Sequence, residues 1–142
     1  MKNTLLGFLL LISGTATAQV LADFETAETS VVVRGDSAAI IDNPNLVGNT
    51  SKRVATYKKA VGNWKQMYFE LGKKVNVKKN TVLSFLINST TKGRVYLKIW
   101  DGSTLLKEDW APTYESRPEP NTWTEVTFDV TSLQDKNFDR VE

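Results

Sequence analysis

From residue 31 onward, apolar and polar side chains trade places at every second position in one stretch after another. Met67, Phe69 and Leu71 oppose Gln66, Tyr68 and Glu70; Leu83, Phe85 and Ile87 oppose Val82, Ser84 and Leu86; Val126, Phe128 and Val130 oppose Glu125, Thr127 and Asp129. A period of two marks a strand with one buried face, because successive Cβ atoms point to opposite sides of a pleated backbone. Strands are predicted at 31–34, 38–41, 53–58, 66–71, 82–88, 94–100 and 123–130. NPNLVGN, AVGN, NVKKN, NSTTKG, DGS and PEPN lie between them and supply turn and loop chemistry. No stretch has a convincing helical period, so the pattern predicts an all-β fold, an antiparallel β-sandwich. Residues 108–121, with three prolines, form the longest irregular stretch and are expected to be a surface loop.

The stretch RVYLKIWDG sharpens the picture. Val95, Leu97 and Ile99 face one way, and Tyr96, Lys98 and Trp100 the other. In a two-sheet sandwich the apolar faces meet in the middle, so a second face bearing two aromatics and a lysine either looks outward or lies under a loop. An outward face of this kind suits sugars, whose C–H faces stack on aromatic rings while their hydroxyls bond to polar neighbours.

The chain opens MKNTLLGFLLLISGTATAQ, with Lys2, an apolar run over 5–12 and the small-residue site Ala16-Thr17-Ala18. This predicts a secretory signal peptide over 1–18 and an exported domain over 19–142. The run is shorter than the about 20 residues that span a bilayer, so no membrane span is expected. There are no cysteines and no histidines. Disulfides, thiolate-metal sites and Ser-His-Asp, Cys-His or HExxH chemistry are thereby excluded. The net charge of +2 conceals an imbalance: residues 52–79 hold nine basic residues against Glu70 alone, while 101–142 hold ten acids and four bases. The basic stretch reads either as solvated strand edges and turns or as a surface for an acidic polymer. Nothing in it points to nucleic acid.

DFET near the predicted mature start, NPNLVGNTSKRVATYKK, NWKQMYFEL, VYLKIWD and NTWTEVTFDVTSL together resemble a carbohydrate-binding module of the galactose-binding-like jelly-roll class. The likeness runs from about Asp23 to Glu142. It implies a secreted, non-catalytic module that holds a polysaccharide, commonly joined to a glycoside hydrolase or polysaccharide lyase. It also implies a structural calcium ion near the chain ends, which points to Asp23, Glu25 and Asp139; hard oxygen ligands suit that ion. In such modules the segment resembling FDRVE opens a last strand that returns beside the first, so the chain reads as a fragment lacking its final strand.

Among the aromatics, Tyr96, Lys98 and Trp100 are the expected glycan contacts, with Tyr68 and Trp64 as further candidates. Trp64 could instead close one end of the sandwich. Trp123, after PEPN, resembles the structural tryptophan of these modules, and Trp110 falls in the irregular segment as a loop-borne contact or a plug over the sandwich edge. Catalytic residues do not emerge. Sixteen acids offer many pairs for glycoside hydrolysis but no spacing that selects one, and a lyase base such as Tyr68 or Tyr96 lacks a recognisable activating neighbour. A structural or adhesive sandwich of a cell-surface protein is the alternative function, and a lyase or hydrolase module a second.

Overall fold

The computed structural model describes residues 9–12, 19–21, 24–25, 31–35, 37–58, 66–79, 81–91, 93–111 and 119–142. These residues form strands β1 (Leu9–Ile12), β2 (Gln19–Val20), β3 (Val32–Arg34), β4 (Ala39–Asp42), β5 (Arg53–Thr56), β6 (Tyr68–Asn76), β7 (Thr81–Ile87), β8 (Tyr96–Asp101), β9 (Thr104–Trp110), β10 (Thr124–Asp129) and β11 (Asn137–Val141). A single 3-10 turn, Thr131–Leu133, is the only helical element among them. One sheet has the order β10-β7-β1-β2, a second the order β3-β6-β11-β8-β9, and β4 pairs with β5 separately. Every strand pairing is antiparallel. No helix of the described residues is long and apolar enough to cross a membrane.

The alternation in the sequence places the core. Leu71, Val75, Leu97, Ile99, Phe138 and Val141 of the five-stranded sheet join Leu83, Val126 and Phe128 of the four-stranded sheet in one buried cluster. The β7–β10 register sets Val126 opposite Phe85 and Phe128 opposite Leu83. Phe85 and Phe128 then stack with centroids 5.8 Å apart. Two sheets meeting through their apolar faces form the predicted sandwich.

Three expectations need correction. Residues 108–110 are not loop: they finish β9, an edge strand that forms a hairpin with β8 about Gly102 and Ser103. Gly102 takes φ of +55°, a conformation glycine adopts without a steric penalty. Adjacent Leu105 and Leu106 break the alternation there, which hid the strand from a period-two reading. Strand β6 also runs five residues beyond its predicted end, through exposed Gly72, Lys73 and Lys74. Finally, the FDRV segment does not lie beside the first strand; as β11 it sits between β6 and β8. Its ladder to β6 shifts register between Phe138 and Arg140, so the buried Phe138 and Val141 are three residues apart and conceal the strand period.

Two local features prepare the site. Asn43, Asn45 and Asn49 fasten the 43–51 loop through bonds to its own backbone, and Trp123 Nε1 donates to the Asn45 carbonyl at 2.7 Å. That bond ties the residue before β10 to the 43–51 loop. Gly35, at φ +133°, lies so close to β6 that a Cβ would come within 2.6 Å of the Gln66 carbonyl oxygen, which keeps the β3–β4 turn against the start of that strand. The apolar run of the predicted leader also enters the fold: Leu9–Ile12 pairs with Thr81–Ser84 along the edge of β7 opposite β10.

Candidate functional site

The outer face of the five-stranded sheet carries the chain's densest set of polar aromatics among the described residues. β8 turns Tyr96, Lys98 and Trp100 outward while Leu97 and Ile99 are buried, as the alternation requires. Pairing with β9 places Trp110 opposite Tyr96 and Glu108 opposite Lys98. The Tyr96 and Trp110 rings meet at 4.6 Å between centroids, tilted by 44°, and the Arg94 guanidinium lies 4.8 Å over the Trp110 ring. Stacking on the guanidinium holds the exposed indole in place.

These groups border a groove of about 380 Å³, whose lining includes Tyr96, Lys98, Trp110, Arg94, Glu142 and Tyr57. Its charges are mutually arranged. The backbone of Glu142 exchanges two hydrogen bonds with Lys98, and the Glu142 carboxylate accepts from Trp100 Nε1 at 2.7 Å while lying 3.8 Å from Lys98 Nζ. Tyr96 donates to Glu108, and that bond, with partial burial and the nearby carboxylate charges, raises the phenol above its ordinary pKa.

Of the five expected contacts, Tyr96 and Lys98 line the groove. Trp100 and Tyr68 share the same outer face but are occupied with a third residue: the Arg140 guanidinium lies 4.6 Å over Trp100 and 5.6 Å over Tyr68. With its N–H on Glu142 and a ring face against Arg140, Trp100 stiffens the groove rather than lining it. Trp64 lies outside the described residues. The sequence reading offered Trp110 as a loop-borne contact, whereas it lines the groove from the end of β9; Arg94, Glu142 and Tyr57 are groove residues that it missed. The DGS turn was the available signal for Trp110, since it announces a hairpin that must return past Tyr96.

Of the expected calcium ligands, Asp23 lies outside the described residues. Glu25 Oε1 accepts from the Lys52 backbone N–H at 2.7 Å, and Asp139 Oδ1 from that of Gly102 at 2.9 Å. Among the described residues no group of three or more acidic, histidine or cysteine side chains is placed to hold a metal ion.

A second cavity, about 300 Å³, opens at the same end of the molecule between the two sheets. Met67 and Phe69 contribute from one sheet and Phe85 and Ile87 from the other, with Phe24 and Trp123 completing an apolar wall. Tyr57, Met67, Ile87 and Ser89 line both cavity and groove.

No family model, curated protein or solved structure matches the chain. Function therefore rests on the site itself.

Proposed function

We propose that the chain is a non-catalytic carbohydrate-binding module of the galactose-binding-like jelly-roll class, acting outside the cell as part of a larger polysaccharide-degrading protein. The observation that carries this reading is the Tyr96–Trp110 pair on the rim of an open groove beside Arg94, Lys98 and Glu142. An aromatic edge supplies the stacking surface for a pyranose ring, and the flanking charged groups supply donors and an acceptor for its hydroxyls. The same geometry favours binding over turnover. Tyr96, the candidate lyase base, is held protonated by Glu108, and the Glu142 carboxylate is engaged by Trp100 and Lys98.

A glycan array probed with the chain, followed by calorimetry on each hit, tests the proposal. Trp110→Ala should weaken binding by roughly 1–3 kcal/mol, the scale of an aromatic anchor, with little change in melting temperature because the side chain lies on an edge strand. A structural or adhesive sandwich would bind no glycan, and a catalytic module would release shortened or unsaturated products.

A further inference from the structure

The charges along the groove are not distributed evenly. The Ala111 N–H donates to the Val95 carbonyl at 2.9 Å, so the pairing of β8 with β9 carries on past Tyr96 toward Arg94. The groove therefore runs in a row: Arg94 first, then the Tyr96–Trp110 pair, then Lys98 with Glu108 across from it and Glu142 beside it. At the Lys98 end the charges have partners. Lys98 lies by the Glu142 carboxylate, which also accepts from Trp100, and Glu108 accepts from Tyr96. Arg94 differs. It is exposed, and among the described residues the ion pairs join Arg34 to Glu70, Lys74 to Asp101, Lys98 to Glu142 and Lys107 to Asp109, leaving Arg94 with no carboxylate. Its contact is the Trp110 ring, 4.8 Å away. A guanidinium stacked on an indole presents its face to the ring and keeps its N–H donors in its own plane, free to meet two oxygens side by side. Stacking also fixes this fork beforehand, so less rotamer freedom is lost when an acceptor arrives.

We infer that the groove selects a sugar bearing a carboxylate, a uronic acid residue of an acidic polysaccharide, with the carboxylate oxygens taken by the Arg94 N–H groups while the ring lies against Tyr96 and Trp110. This inference rests on the groove reading and names its class of glycan. The opposite edge of the ring then meets Lys98 and Glu142, where hydroxyls find a donor and an acceptor but a carboxylate would meet the like charges of Glu142 and Glu108. One end of the groove attracts the acid and the other rejects it, so the sugar is oriented as well as selected. The contribution is that of a bidentate, charge-assisted pair at a solvated rim, roughly a fivefold preference over the same sugar without its carboxylate. Contact with a single guanidinium lies well inside the screening length, so the preference survives at physiological salt and needs nothing from the lysines of β6.

The test compares twins that differ in charge alone. Oligomers of galacturonate, glucuronate and mannuronate would be titrated calorimetrically into the full chain at physiological salt, each beside the same oligomer with its carboxylates reduced to primary alcohols by carbodiimide activation and borohydride. The uronate member of at least one pair should bind roughly fivefold more tightly than its twin. Arg94→Gln should bring that ratio to about one. If Arg94 does no more than steady Trp110, the same variant weakens both twins alike and keeps the ratio, which overturns the carboxylate contact. Should Arg94→Gln bind too weakly to measure, Arg94→Lys decides, because it keeps the charge and loses the planar fork: an undiminished ratio overturns the bidentate pair. Lys73→Gln, on the part of β6 that leads away from the groove, should leave the ratio as in wild type, and a reduced ratio there overturns the assignment to Arg94. Equal affinity within the pairs that bind, or tighter binding of the reduced twin, overturns the uronate site and leaves the groove reading standing; binding of no member of any pair, nor of any neutral glycan on the array, overturns both.

Discussion

Trp100 shows how neighbours decide what a residue on the right face can do. It points outward with Tyr96 and Lys98, yet Arg140 covers a ring face and Glu142 takes its N–H, so its energy goes into holding β8 to β11. Trp100→Ala should therefore cost roughly 2 kcal/mol of stability, less than a fully buried tryptophan because the ring is half-exposed. Denaturant melts would check this, and a folded variant of unchanged stability that no longer binds glycan would make Trp100 a direct contact after all. Asp129 offers a test by pH. The hydroxyl and then the N–H of Thr131 bond to its carboxylate and hold it below the ordinary value of 3.8. A depressed native pKa means that this contribution is complete above the unfolded pKa and disappears as pH falls through the native one. Wild type should lose more stability than Asp129→Asn between about pH 5 and about pH 2. Parallel acid-limb slopes in urea titrations would show that the bond to Thr131 adds nothing.

At the scale of elements, the edge of β7 is the exposed joint. Both faces of this strand are covered, with Leu83, Ser84 and Leu86 all buried, and its two neighbours are β10 and β1. β1 belongs to the stretch with the composition of a cleavable leader. Taking away residues 1–18 removes the backbone partner of Thr81–Ser84 and offers an apolar edge to other chains. The 19–142 chain should lose amide protection on the β1-facing side of β7 and self-associate with rising concentration. Hydrogen exchange and sedimentation report both effects, and identical protection in the two chains would mean that β1 adds nothing to the fold.

For the molecule as a whole, the uneven charge turns on where the fold spreads it. Lys73, Lys74, Lys78 and Lys79 are exposed and follow β6 away from the groove that Met67 borders. Lys74 is seven residues beyond Met67, roughly 23 Å along an extended strand. That is well past the screening length of about 8 Å at physiological salt. Among the described residues of the basic stretch, Lys58, next to Tyr57, is the one that adjoins the groove. Glycan affinity should then change by no more than about twofold between low and physiological salt. A steep fall would assign the basic stretch to ligand capture.

The alternation of side chains was enough to predict an all-β sandwich, the inner and outer sides of each well-patterned strand, and the common face of Tyr96, Lys98 and Trp100, because strand geometry ties side-chain direction to residue parity. Composition excluded histidine and cysteine chemistry for an equally local reason. Parity fails wherever an extra residue enters a ladder. A regular hairpin about Gly102 and Ser103 would set Asp109 opposite Tyr96; the shift between Ile99 and Trp100 brings Trp110 there instead and creates the aromatic rim. A similar irregularity concealed β11, and with it the arrival of Arg140 and Glu142 beside residues about forty positions earlier. Such meetings depend on which strands become neighbours and in what register. They are decided by packing among distant segments, and so only the tertiary structure could join the outward face of β8 to a groove and an adjoining cavity.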